Sequence, residues 1–87
     1  MSNRIYLAIL EDRHIDDDIR CFHVYELAKE QIKRWMKEYD HVTDYENEFH
    51  GRDKELSEDG FILDLWQANE NQEEGLVMSI LEKKVHG

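Results

Sequence analysis

The chain has 87 residues, a net charge of −10 and a pI near 4.8. A chain this short holds one domain and buries only about 60–65% of its unfolded surface, so one helix on one sheet with a single core is near its limit. The acidity argues against direct binding of nucleic acid, whose affinity comes from Lys and Arg, and against an anionic membrane surface.

Hydrophobic residues make up 40% of the chain and charged residues 37%, enough apolar material for a core and against global disorder. Cys21 is the only cysteine, so no internal disulfide can form and the chain reads as cytoplasmic. The longest apolar run near the start, residues 5–10, is too short for a signal peptide or a membrane span.

The charge is unevenly spread. Residues 1–39 carry eight acids and seven bases, residues 40–59 eight acids and two bases, and residues 60–87 five acids and two bases. The net charges are therefore −1, −6 and −3, and more than half of the excess falls in one segment of twenty residues.

Residues 5–10, Ile-Tyr-Leu-Ala-Ile-Leu, predict a buried strand. Residues 11–18, EDRHIDDD, read as a polar connection. Residues 19–24 predict a second strand with Ile19, Cys21 and His23 on one side and Arg20, Phe22 and Val24 on the other. The period then changes. Ala28, Ile32, Trp35, Met36 and Tyr39 line one stripe of a helix over residues 24–39. Its polar face carries the favourable Glu30–Arg34 pair, with Glu26 near the start and Lys37 near the end.

Residues 40–59, DHVTDYENEFHGRDKELSED, show no sustained period and read as a long connection, with Tyr45, Phe49 and Leu56 as isolated apolar points. Residues 61–68 predict a third strand, NENQEEG at 69–75 a loop, and residues 76–81, continuing weakly to 85, a fourth. The expected fold is α+β: a four-stranded antiparallel sheet in the order ββαββ with one amphipathic helix on one face. Apolar residues on both sides of two strands suggest that both sheet faces are covered. Either the 40–59 segment lies over the second face, or that face takes a second copy or a partner.

Candidate chemistry is sparse. His14 with Asp16 and Asp18 could take a cation, although zinc ligands usually come from more than one element. Residues 44–55 can be laid on a calcium loop, but Phe49 stands where that loop requires glycine. Cys21 reads as a small core residue and not as a nucleophile. Ser57 and Ser79 lack a surrounding motif, and there is no glycine-rich phosphate loop. The chain therefore reads as a non-catalytic protein without a cofactor.

What remains is the acidic surface. Closely spaced carboxylates can imitate a phosphate ladder and compete for a Lys/Arg-lined groove; the bland reading is a solvated face. The residues that would meet such a partner are Asp40, Asp44, Tyr45, Glu46, Glu48, Phe49, Asp53 and Glu55, with Asp16, Asp17 and Asp18 next.

The stretches IYLAILEDRHIDDDIRCFHVYELAKEQIKRW and GFILDLWQANENQEEGLVMSILEKK resemble a class of small uncharacterised bacterial and phage proteins. These share a strand, an EDRH-type turn (Glu11-Asp12-Arg13-His14), a second strand, a helix and a closing hairpin. The resemblance omits residues 40–59, supports the strand order and implies no activity. By size, acidity and lack of catalytic residues, the chain also resembles phage-encoded inhibitors of host defence such as anti-CRISPR proteins, whose varied folds allow no residue to be carried over. The expected function is inhibition or regulation of a nucleic-acid-handling protein through a basic surface. The alternatives are an assembly module that dimerises through its sheet face and a metal-responsive protein.

Overall fold

The computed structural model describes residues 3–49, 55–57 and 60–85. The elements are β1 (Asn3–Asp12), β2 (Ile15–Phe22), α1 (Tyr25–Glu38), β3 (Tyr45–Phe49), β4 (Glu55–Ser57), β5 (Gly60–Ala68) and β6 (Val77–Val85). All strand pairs are antiparallel, in the order β2-β1-β6-β5-β3, and the short β4 also pairs with β5. The fold is α+β with one helix, as expected, but the expected four-stranded ββαββ sheet is wrong.

The correction comes from residues 40–59. Tyr45 pairs with Ala68 and Phe49 with Asp64, so residues 45–49 of this acidic stretch add a strand to the sheet and do not lie over its second face. Farther along the same edge of β5, Glu55 pairs with Phe61 and Ser57 with Gly60. An outer strand needs no continuous apolar run, because hydrogen bonds to one neighbour are enough to hold it.

The EDRHIDDD connection is also shorter than expected. Only Arg13 and His14 form the turn, and β2 begins at Ile15. Asp12 Oδ1 accepts a hydrogen bond from the His14 backbone N–H at 3.0 Å, an Asx-type closure that replaces a glycine turn. A register shift between Leu10 and Asp12 takes up the change in strand direction.

The core lies between α1 and one side of the sheet. Ala28, Ile32 and Trp35 of α1 pack with Ala8, Leu10, Met78 and Ile80 of β1 and β6, and Tyr6, Phe22 and Trp66 close the margins. Ile32, Leu76, Met78 and Ile80 are fully buried, each worth about 1.5–3 kcal/mol of transfer free energy. Val42 and Ala68 finish the core where the chain leaves the helix. No helix among the described residues is long and apolar enough to cross a membrane.

Candidate functional site

Alternation along the strands sends a second set of residues to the side of the sheet away from α1. The register places Ile19, Ile9, Ser79 and Leu65 in one row and Cys21, Leu7, Leu81 and Ile62 in the next. Ile5 and Lys83 follow at one end, and Glu11, Val77, Gln67 and Glu46 form the row at the other. Ser79 and Ile62 are buried, Leu7, Ile9, Leu65 and Leu81 are half-buried, and Ile19 is 57% exposed. Among the described residues, no helix or strand packs over this side. Cys21, expected in the core, is exposed here because β2 is an outer strand.

Glu46 links this apolar face to a groove lined by Asp44, Glu46, Gln67, Ala68, Asn69, Glu70 and Asn71. Three carboxylates and three side-chain amides meet there, with no Lys or Arg in the lining among the described residues. Side-chain amides, among them Gln72 beside the groove, also hold its walls together. Gln72 Oε1 accepts from the backbone N–H groups of Thr43 and Asp44 at 2.8 and 2.9 Å, and Asn69 Nδ2 donates to Asp44 Oδ2 at 2.9 Å. The β5–β6 loop is thereby strapped to the segment that follows the helix.

The acidic residues singled out in the sequence are divided by the fold. Asp44 and Glu46 come together and are joined by Glu70. Asp40 is exposed in the turn after α1. Glu48 and Phe49 continue β3, Glu55 opens β4, and Asp53 lies outside the described residues. Asp16, Asp17 and Asp18 sit on β2, at the opposite margin of the sheet, where Asp18 is held by Arg20 at 2.9 Å. Tyr45 turns its ring to the core. Its hydroxyl is buried without a hydrogen-bond partner among the described residues, and burial, then the charge of Glu73, raises its pKa.

A second polar cluster occupies the end of the molecule where the β1–β2 turn, the end of α1 and the β5–β6 loop meet. Asp12 is only 7% exposed. It accepts from the Tyr39 hydroxyl at 2.8 Å as well as from the His14 N–H. The His14 backbone bond, aided by Tyr39, holds Asp12 below the usual carboxylate range despite burial. Burial first, then the Asp12 bond, pushes Tyr39 up to about 12. His41 Nε2 lies 2.8 Å from Glu73 Oε2, and Arg13 pairs with Glu74. One ligand atom each from Asp12, His14 and Glu73 fall within 4.8 Å of one another. Asp16 and Asp18, the companions expected for His14, are not in this group. Asp12 and Glu73 were not singled out from the sequence, because neither lies in a ligand-spacing motif.

The other buried carboxylates have structural partners. Asp64 accepts from the Tyr25 hydroxyl, whose pKa is raised by burial and then by that bond. Glu82 pairs with Arg4 at 3.0 Å.

No protein-family model, no curated protein and no solved structure matches the chain. The functional reading therefore rests on this geometry.

Proposed function

We propose that the protein is a non-catalytic binding module that docks a partner protein carrying an apolar patch bordered by Lys or Arg. The observation that carries this reading is the sheet face built by Leu7, Ile9, Ile19, Leu65 and Leu81, which continues through Glu46 into the groove of Asp44 and Glu70. Contiguous apolar surface rimmed by polar groups is a general mark of an interaction site. The acidic rim would attract a basic partner and set its orientation, and the apolar rows would supply most of the affinity.

A partner that handles nucleic acid fits this chemistry, because its Lys/Arg-lined groove would meet the same carboxylates. Inhibition or regulation of such a protein is the more specific form of the proposal, supported by the net −6 of residues 40–59. A second copy of the chain is a weaker match, since each copy brings a charge of −10 and like charges oppose docking.

The test begins with capture of partners from a bacterial lysate, each retested as a purified protein. Three properties are expected together. Binding weakens as salt rises; Asp44→Lys with Glu46→Lys weakens it at least tenfold; and the bound partner shields Cys21 from a thiol reagent. A partner that leaves Cys21 fully reactive and tolerates both reversals would overturn the proposal. Competition by DNA or RNA separates the nucleic-acid-handling form from the general one. Concentration-dependent dimers that shield Cys21 without any partner would favour self-association.

A further inference from the structure

We propose that Asp12, His14 and Glu73 form a binding site for one divalent transition-metal ion of the zinc type. The three come from separate elements: the end of β1, the β1–β2 turn and the β5–β6 loop. Their ligand atoms, one imidazole nitrogen and two carboxylate oxygens, lie within 4.8 Å of one another. Zinc bonds nitrogen and oxygen at about 2.0–2.2 Å, so tetrahedral ligands stand about 3.3–3.6 Å apart. Small side-chain rotations close the remaining difference.

The surroundings are those of a ligand site and not of a loose acidic patch. Each carboxylate already has an outer partner that fixes its direction. The Tyr39 hydroxyl donates to Asp12 Oδ2, and His41 meets Glu73 Oε2, both at 2.8 Å. Such outer contacts orient metal ligands and raise affinity. The Asn69 and Gln72 bonds to residues 43 and 44 hold the loop that presents Glu73. Arg13, the cation in the same turn, is engaged by Glu74. Two carboxylates and a neutral imidazole balance a divalent ion, and the imidazole favours zinc, cobalt or nickel over calcium or magnesium, which prefer oxygen alone. With three protein ligands, one position would be left for water or for a donor from a partner. The bound ion would clamp the β1–β2 turn to the β5–β6 loop.

The test uses the full chain after chelator treatment and exhaustive dialysis. Calorimetric titration with zinc should give one ion per chain, and zinc should raise the melting temperature. His14→Ala should weaken binding at least tenfold, as should Glu73→Gln. His14 is exposed, so its removal leaves the fold intact, a point checked by the melt without metal. His41→Ala, which removes an outer partner, should weaken binding about tenfold, whereas His23→Ala should have no effect. Cobalt should give visible absorption bands that zinc displaces. No zinc binding by the wild-type chain, undiminished affinity in both His14→Ala and Glu73→Gln, or an equal response to calcium would each overturn the site.

Discussion

Alternate residues of the same strands build two unlike surfaces. Ala8, Met78 and Ile80 face the helix and are fully buried, whereas Leu7, Ile9 and Leu81, their direct neighbours in sequence or one strand across, remain half-buried on the other side. The difference is cover. One fourteen-residue helix packs on β1, β2 and β6 from one side only. Apolar character therefore does not distinguish the face that stabilises the fold from the face available to a partner; only the position of α1 does.

Substitutions can break this comparison. The largest effect is expected at Trp35, 3% exposed at the centre of the helix–sheet contact. Trp35→Ala should cost about 3–5 kcal/mol in a urea unfolding titration, and a loss below 1 kcal/mol would mean that the helix contact is not the core. Gly75 comes next. Its φ is +79°, and an added Cβ would approach Arg13 Cδ to 2.9 Å, so Gly75→Ala should cost about 1–2 kcal/mol by adding backbone strain and disturbing the contact between the turn and the loop.

Alkaline pH probes the helix-covered side without mutation. The folded state raises the pKa values of Tyr25, Tyr39 and Tyr45, with Tyr39 at about 12. The fold thus favours the protonated phenols. That contribution is complete below the unfolded value near 10 and is lost as pH rises from there towards 12. The urea midpoint should fall across this window, and Tyr39→Phe should flatten the fall. Tyrosinate absorbance rising in the folded protein as in free tyrosine would contradict the burial of these rings. The smallest effect is expected on the open face, where Ile19→Ser should change stability by no more than about 0.5 kcal/mol while weakening partner binding.

The legible parts of the fold were those where pattern and burial coincide. Ala28, Ile32 and Trp35 mark the helix at its own period, and the apolar runs of β1, β5 and β6 mark the inner strands. The outer strands were harder to see. In β3, Tyr45, Asn47 and Phe49 do alternate with Glu46 and Glu48, but five residues rich in acid are a weak signal against a charged background. The β1–β2 turn was hidden because Asp12 supplies from its side chain the hydrogen bond that a glycine turn would otherwise make unnecessary. Of the acidic surface, the concentration of charge was readable, but the separation of Asp16–Asp18 from Asp44 and Glu46 by the width of the sheet was not. The grouping of Asp12, His14 and Glu73 depends on β1 and β6 being neighbours, a fact of topology that no local spacing encodes.

The acids at the two margins of the sheet also have a consequence for how copies of this chain meet. Among the described residues, both β2 and β3 leave one row of backbone N–H and C=O groups without a neighbouring strand, and such a row is a template on which another chain can add and extend a fibre. The exposed Asp16 and Asp17 on one margin and Glu46 on the other set like charges against such an approach. This guard depends on ionisation. As the medium nears the pI of about 4.8, the repulsion fades, and edge-to-edge pairing of sheets meets less resistance.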